Sequence, residues 1–282
     1  MRSRVLESAL RVAVGLGIAY LVLVALAWRY QEKLAFPGPR GRLADPATAG
    51  LPDGRRVTLT TADGVKLHGW YLPPVPPSAS GRNPALLWFY GNMETVTALG
   101  PLVRDLRPPG TALLILDYRG YGESEGAPTE AGLYRDGDAA WAFLSARAEV
   151  DPSRIAVYGR SLGAVVALHL ADTHPVRAVV LDSPFSNARE MARQHYRLLP
   201  RFIIRLSLDN VERASRLRVP LLVFHGTEDR IALPRMGRAV AEAGRAQELV
   251  LIEGAGHNDT YDMGGARYRE KLHAFLGASL SP

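Results

Sequence analysis

The sequence of 282 residues contains no cysteine. The chain therefore forms no disulfide bond, and neither a thiolate metal site nor a cysteine nucleophile is available to it. No G-x-G-x-x-G fingerprint of a dinucleotide-binding sheet follows the early strand candidates, and we find no internal repeat. With 47% hydrophobic and 22% charged residues, the chain has the composition of a globular protein that can bury a large core without disulfide bonds.

The net charge is +6, yet the sequence has no dense block of lysine and arginine. It also contains no known nucleic-acid-binding motif, so we predict no nucleic-acid partner. The excess positive charge then indicates either a solvated basic surface or a surface that meets an anionic membrane.

The N-terminus contains an uncharged apolar run from Val12 to Trp28. Extended across the single charge of Arg11, this run reaches the ~20 residues that a helix needs to cross a bilayer. We predict that residues 1–30 are a single-pass membrane anchor. Positive charges flank both ends, although the leading arginines weakly favour a cytoplasmic N-terminus. The alternatives are a signal peptide cleaved near Ala25-Leu26-Ala27, which would leave a secreted or periplasmic protein, and a buried core helix.

Residues 31–55 are rich in proline and glycine and are predicted to form an irregular stalk or docking segment. Residues 56–282 begin with a hairpin signal at Asp63-Gly64 and continue with short apolar runs that alternate with helix candidates. Continuous apolar runs indicate strands buried on both faces, as in a parallel sheet covered by helices. We therefore expect one α/β domain with a mostly parallel sheet of about eight strands. The runs are Ala85–Tyr90, Ala112–Leu116, Ile155–Tyr158, Ala178–Leu181, Leu221–Phe224 and Leu249–Ile252, and the helix candidates are Thr95–Leu106, Thr129–Arg147, Leu162–Ala171, Pro234–Ala243 and Ala266–Leu276.

A candidate nucleophile follows the run Ile155–Tyr158. Gly159-Arg160-Ser161-Leu162-Gly163 is a G-x-S-x-G motif between a predicted strand and a predicted helix. A nucleophilic serine there must project from a sharp turn, and the backbone two residues to either side passes too close to its neighbours for a Cβ atom. The alternative interpretation is a serine that only caps a helix.

A serine hydroxyl needs a base, and the base needs a carboxylate to orient it. His257 follows the last strand candidate in a glycine-rich loop, a placement that the other histidines lack. Asp229 follows the preceding strand candidate, so Ser161, Asp229 and His257 occur in the chain order typical of a nucleophile-elbow hydrolase. Glu228 and then Asp259 are the rival carboxylates.

The oxyanion formed during acyl transfer needs backbone N–H donors. One donor is expected from Leu162, the residue after the nucleophile. The second should come from the loop after Ala85–Tyr90, where we favour the N–H group of Asn92, with Met93 as the alternative.

These motifs together resemble those of the α/β-hydrolase superfamily, and in particular its single-pass, membrane-anchored branch known as serine-aminopeptidase-like or abhydrolase-domain proteins. The resemblance spans nearly the whole chain. One departure is Tyr90-Gly91, where the family usually has His-Gly. The matching segments are Leu34-Ala35-Phe36-Pro37, Asp63-Gly64, Gly69-Trp70-Tyr71, Asp117–Ser124, Gly159–Gly163, Asp182-Ser183-Pro184-Phe185, His225-Gly226 with Asp229, and Gly256-His257.

The resemblance implies hydrolysis of an ester, a thioester or an amide through an acyl-enzyme, with no metal or organic cofactor. The expected partners are a small-molecule or lipid-like acyl substrate and the membrane that holds the N-terminal helix. A small-peptide aminopeptidase-like hydrolase and a catalytically silent scaffold that binds a lipid or a partner are the alternative functions.

A segment at about residues 186–218 occupies the position where this fold often inserts a lid. Five arginines recur in it at every fourth residue, which would place them on one face of a helix that Pro200 should interrupt. One hypothesis is that this lid lies on an anionic bilayer and admits acyl chains. The alternative is a basic, solvated helix face. The arginines are Arg189, Arg193, Arg197, Arg201 and Arg205.

Overall fold

The structure is a computed structural model, and it describes residues 2–79 and 81–281. Eight strands form a single sheet, which confirms the predicted mostly parallel α/β architecture. The strands are β1 (Arg55–Thr60), β2 (Lys66–Leu72), β3 (Asn83–Phe89), β4 (Ala112–Leu116), β5 (Val150–Arg160), β6 (Ala178–Asp182), β7 (Leu221–Gly226) and β8 (Glu248–Ile252).

The sheet has the order β1-β2-β4-β3-β5-β6-β7-β8. The pairs β1–β2 and β2–β4 are antiparallel, and every other neighbouring pair is parallel. Every residue of β4, β6 and β7 is buried, as their continuous apolar sequences predict, whereas the edge strand β1 is mostly exposed. The parallel strands place their carboxyl ends, and the loops that follow them, along one edge of the sheet.

Eight α-helices accompany the sheet in the described part of the chain. They are α1 (Arg2–Ala35), α2 (Gly100–Leu106), α3 (Glu130–Ser145), α4 (Leu162–Thr173), α5 (Ala188–His195), α6 (Asn210–Ser215), α7 (Pro234–Ala243) and α8 (Thr260–Ser279). Helices α3, α4, α6 and α7 pack side by side on one face of the sheet, and α2 packs with α8 on the other. Helix α3 begins after Thr129, whose side chain accepts a hydrogen bond from the N–H group of Gly132 at 3.0 Å.

Helix α1 is the one described helix that is long and apolar enough to cross a membrane, and its apolar window is not buried in the domain. This exposure argues against the alternative of a buried core helix. The helix is kinked at Tyr30, the predicted end of the anchor, and continues to Ala35. The rest of the segment 31–55 is largely irregular but packs on the domain, since Phe36, Leu43 and Leu51 are buried.

The segment predicted to be a lid, residues 186–218, contains α5, a short 3-10 turn at Arg201–Ile203, and α6. The expectation of one helix face carrying five arginines is wrong, because α5 already ends at His195, five residues before Pro200. Only Arg189 and Arg193 lie on α5. The residues after it follow an irregular path, so the four-residue spacing of the arginines is not a helical spacing here.

Candidate active site

The turn at Ser161 joins the end of β5 to the start of α4. Its backbone φ angle is +50°, a conformation that side chains with a Cβ atom rarely adopt. A Cβ atom on Gly159 would lie 2.4 Å from the carbonyl oxygen of Gly163, and one on Gly163 would lie 2.1 Å from that of Phe89. The two glycines of the motif therefore allow the strand, the turn and the helix to approach closely, as the sequence predicts.

Three predicted side chains meet at this turn. The Nε2 atom of His257 lies 2.8 Å from the Oγ atom of Ser161, and its Nδ1 atom lies 2.7 Å from Oδ2 of Asp229. With its proton on Nδ1, the imidazole donates to Asp229 and accepts from the hydroxyl of Ser161. The arrangement can transfer a proton from the serine to a histidine whose tautomer is held by a carboxylate.

Asp229 is buried and heavily hydrogen-bonded. Its Oδ1 atom accepts from the backbone N–H groups of Ile231 and Ala232 at 2.8 and 2.9 Å. Burial alone would raise the pKa of Asp229, but the hydrogen bonds from His225 and His257 outweigh it and hold this pKa well below its usual range. Asp229 is therefore ionised at neutral pH, as a group that stabilises an imidazolium must be.

His225 supports Asp229 from within the core and is fully buried. Its Nε2–H group donates to the carbonyl oxygen of Ala232 at 2.7 Å and lies 3.3 Å from Oδ2 of Asp229. A Cβ atom on Gly237 of α7 would lie 2.2 Å from Nδ1 of His225, so the glycine leaves the space that the ring occupies. His225, the penultimate residue of β7, thus fixes the loop carrying the carboxylate.

The rival carboxylates lie elsewhere. Glu228 is exposed to solvent. Asp259 accepts a hydrogen bond from the N–H group of Gly256 at 2.6 Å and thereby closes the loop that presents His257. Neither side chain forms a hydrogen bond with the imidazole of His257.

The loop after β3 lies against Ser161, since a Cβ atom on Gly91 would be 3.6 Å from the Cβ atom of the serine. The side chain of Asn92 is fixed on both sides: Nδ2 donates to the carbonyl oxygen of Ala35 at 2.7 Å, and Oδ1 accepts from the hydroxyl of Tyr121 at 2.6 Å. The N–H group of Met93 donates to Oδ1 of Asn92 at 3.2 Å. Among the described residues, no protein group accepts from the N–H of Asn92.

Tyr90 occupies the position at which the family usually has histidine, and it is held by buried contacts. Tyr90 is buried, its hydroxyl donates to Oδ1 of Asp117 at 2.8 Å, and its carbonyl oxygen accepts from the hydroxyl of Tyr118 at 2.7 Å. The rings of Tyr90, Tyr118 and Tyr121 pack against one another. An aromatic cluster therefore holds the start of the loop of Gly91 and Asn92.

Arg160 and Glu94 are two site residues that the sequence analysis did not identify. Nη1 of Arg160 lies 2.6 Å from Oε1 of Glu94, and Oε2 of Glu94 accepts from the N–H group of Gly91 at 2.7 Å. The other guanidinium nitrogen, Nη2, donates to Oδ1 of Asn258 at 3.0 Å and to the carbonyl oxygen of His257 at 3.4 Å. This pair joins the serine turn to the loops of Asn92 and His257. In the sequence, this ion pair could have been suspected from an arginine inside the G-x-S-x-G motif together with a glutamate three residues after Gly91.

In the part of the chain that the structure describes, no three histidine, aspartate or glutamate side chains cluster in a way that could hold a metal ion. The polar groups around Ser161 instead bind one another.

Comparison with known proteins identifies similar sequences along most of the chain. The family model described as alpha/beta hydrolase fold matches residues 84–204. An uncharacterized protein of Mycobacterium tuberculosis H37Rv is 37% identical over 92% of this chain and 93% of its own length. The alpha/beta hydrolase domain-containing protein WAV2 of Arabidopsis thaliana is 31% identical over 93% of this chain and 92% of its own length.

Solved structures show the same fold at lower identity. An esterase of Pyrococcus furiosus is similar with a TM-score of 0.70 and 20% identity, covering 86% of this chain and 98% of that one. A puromycin-hydrolyzing peptidase of Mycobacterium tuberculosis is similar with a TM-score of 0.68 and 19% identity, covering 81% of this chain and 39% of that one.

Replacement of Arg160 tests whether its pair with Glu94 positions the site. The pair Arg107–Asp53 is a matched control, since both pairs are 2.6 Å apart and both arginine side chains are 10% exposed. We expect Arg160→Gln and Arg107→Gln to cost similar free energies of unfolding. Only Arg160→Gln should lower kcat for an activated ester, by about 10- to 100-fold, because it loosens the loops of Asn92 and His257. Equal kcat values in the two variants would show that the pair has no positioning role.

Proposed function

The chain belongs to the α/β-hydrolase family, and we propose that it is a serine hydrolase that cleaves ester or thioester bonds through an acyl-enzyme on Ser161. The observation that carries the proposal is the continuous hydrogen-bonded series of Ser161, His257 and Asp229, with heavy-atom distances of 2.8 and 2.7 Å. Both distances lie within the range that proton transfer between positioned side chains requires.

In the proposed mechanism, the Oγ atom of Ser161 attacks the acyl carbonyl carbon while Nε2 of His257 removes its proton. The resulting imidazolium is stabilised by the ionised carboxylate of Asp229 and then donates the proton to the leaving alcohol or thiol. The same histidine afterwards removes a proton from water as the water attacks the acyl carbonyl carbon. It then returns this proton to Oγ of Ser161 when the bond between Oγ and the acyl group breaks, which releases the carboxylic acid and restores the serine hydroxyl. Each step uses side chains that are already within hydrogen-bonding distance, so little reorganisation is needed.

We propose the backbone N–H groups of Leu162 and Asn92 as the oxyanion hole. Leu162 is the first residue of α4, where N–H groups have no partner within the helix and the helix dipole favours negative charge. The side-chain bonds of Asn92 to Ala35 and Tyr121 hold its backbone in place. Two preorganised donors of this kind stabilise charge that develops only in the transition state.

The choice of an ester or thioester is also a proposal. The similar Pyrococcus furiosus protein is an esterase, whereas the similar Mycobacterium tuberculosis protein is a puromycin-hydrolyzing peptidase. The likeness to the second protein keeps a peptidase-like activity as the alternative. A panel of p-nitrophenyl esters, acyl thioesters and aminoacyl anilides separates the two, since the proposal requires higher kcat/KM on the first two classes.

We further propose that residues 1–30 anchor the chain in a membrane and that residues 186–218 form a lid. Support for the anchor comes from the length and apolar composition of α1, which a signal sequence would share. Support for the lid comes from its place between β6 and β7 and from His195, whose ring nitrogen donates to the carbonyl oxygen of Ile231 beside Asp229 at 2.9 Å.

A fluorophosphonate probe reports an activated serine. We expect it to label the native chain and not Ser161→Ala. Ser183→Ala is the matched control, because Ser183 also follows a strand and shares the φ angle of +50°, yet it has no histidine partner. Labelling should persist in this control. Unlabelled native protein would favour the silent scaffold, and labelling that survives in Ser161→Ala would identify a different nucleophile.

Replacement of Asp229 by asparagine should lower kcat by about 10³- to 10⁴-fold, because an amide neither holds the Nδ1–H tautomer nor stabilises the imidazolium. Glu228→Gln removes the same charge from the neighbouring, exposed position and should leave kcat within about twofold. The kcat values are compared with an activated ester as substrate. The midpoint temperature of thermal unfolding of each variant is first measured and compared with that of the native chain, so that a loss of folding is not mistaken for a loss of catalysis. A normal rate for Asp229→Asn would refute its assigned role.

A further inference from the structure

The tip of the lid, residues 196–206, lies along the C-terminal half of α1. The hydroxyl of Tyr20 donates to the carbonyl oxygen of Leu198 at 2.8 Å. Further along the helix, Oε1 of the buried Gln31 accepts from the backbone N–H of Arg205 at 2.8 Å. Tyr20 and Gln31 are eleven residues apart, which is about 16 Å along a helix. A bilayer that α1 crosses must therefore also meet the lid tip.

The contact between Arg205 and Trp28 sets the level of the lid tip. The guanidinium carbon of Arg205 lies 4.7 Å from the centre of the Trp28 ring, and its Nη2 donates to the carbonyl oxygen of Trp28 at 3.1 Å. Trp28 closes the uncharged run of α1, which is the position where interfacial aromatic residues occur. The base of the lid tip thus lies at the expected membrane–water boundary.

The lid tip also contributes to a surface pocket of about 310 Å³ that is rich in arginine. Arg193, Arg197, Arg201 and Arg235 line it. Arg235 is paired with Glu190 at 2.7 Å. Among the described residues, no hydrogen-bond acceptor or carboxylate pairs with the other three guanidinium groups. Three uncompensated cations around one concavity favour an anion with several oxygen atoms, such as a phosphate ester.

Two large apolar side chains alternate with these arginines. Leu198 is 77% exposed and Phe202 is 87% exposed. Water is an unfavourable environment for both side chains, and neither is covered by the domain. Segments that lie at the boundary between lipid headgroups and acyl chains typically combine exposed apolar side chains with neighbouring arginines.

We propose that the lid tip is a membrane-contacting surface, in which Leu198 and Phe202 enter the leaflet next to the domain. Arg197 and Arg201 of the tip, together with Arg193 of the adjoining helix α5, bind the phosphate of an anionic phospholipid. This surface would hold the lid at the bilayer from which an acyl substrate could reach Ser161. The inference concerns the lid tip and the lipid, and it stands or falls independently of the chemistry at Ser161.

The absence of cysteine makes a direct test practicable. Phe202→Cys and, separately, Ala148→Cys are labelled with a nitroxide in the full chain and reconstituted into vesicles of phosphatidylcholine with phosphatidylglycerol. Ala148 is exposed in the loop before β5, at the sheet edge opposite Ser161. We expect the label at 202 to be relaxed more by oxygen than by an aqueous nickel chelate, and the label at 148 to show the reverse. Equal exposure of both labels to the aqueous chelate would overturn the proposal.

The headgroup assignment is tested in the same vesicles by Arg193→Gln, Arg197→Gln and Arg201→Gln together. The control removes the same charge from Arg238, Arg245 and Arg267, which are exposed and lie outside the lid. In the control triple variant, we expect the label at 202 to lie deeper in vesicles with phosphatidylglycerol than in vesicles without it. In the lid triple variant, we expect this difference in depth to disappear. Inorganic phosphate at millimolar concentration should not reproduce the effect of the lipid. Label depths that are the same with and without phosphatidylglycerol, and the same in both triple variants, would refute a headgroup site.

Discussion

The close approach of backbone at the Ser161 turn is the constraint on which the candidate site depends. The turn requires a positive φ angle at Ser161 and the absence of a Cβ atom at positions 159 and 163. The carbonyl oxygen of Phe89 lies so close to the start of α4 that a Cβ atom at position 163 would collide with it. The N–H group of Ser161 donates to the carbonyl oxygen of Asp182 at 2.8 Å, which ties the turn to β6 as well. Strain of this kind is stable only when neighbouring strands hold it, and here β3, β5 and β6 are adjacent in the sheet.

Once the turn is fixed, the loops around it are held by few polar contacts. Arg160 connects the turn with the loops of Glu94 and Asn258, and the buried His225 fixes the loop of Asp229 from the core side. The end of α1 joins the same set through the bond from Asn92 to Ala35. In the proposed mechanism, these contacts explain how three loops can present a nucleophile, a base and an oxyanion donor. The bond to Ala35 also places the end of α1, five residues beyond the proposed membrane anchor, beside the proposed oxyanion hole.

The sheet and the serine turn could be predicted from the sequence because they obey local rules. Continuous apolar runs indicated the parallel strands, and the glycines around Ser161 indicated the sharp turn. The path of the lid could not be predicted in this way, since the arginine spacing matched a helix that ends early at His195. The partners of Arg160 were also missed, because an ion pair between residues 94 and 160 depends on which strands become neighbours. The roles of Ser161, Asp229, His257, Leu162 and Asn92 remain predictions that the geometry supports.

Transfer of an acyl group to Ser161 is tested most directly by mass spectrometry of the chain quenched in acid during turnover of an activated ester. Trypsin cleaves after Arg160 and Arg177, so the peptide 161–177 begins with Ser161 and contains no other serine. We expect this peptide to carry the acyl group in the native chain and to be unmodified in Ser161→Ala. Steady hydrolysis with the peptide unmodified, or with the acyl group on another residue, would contradict it.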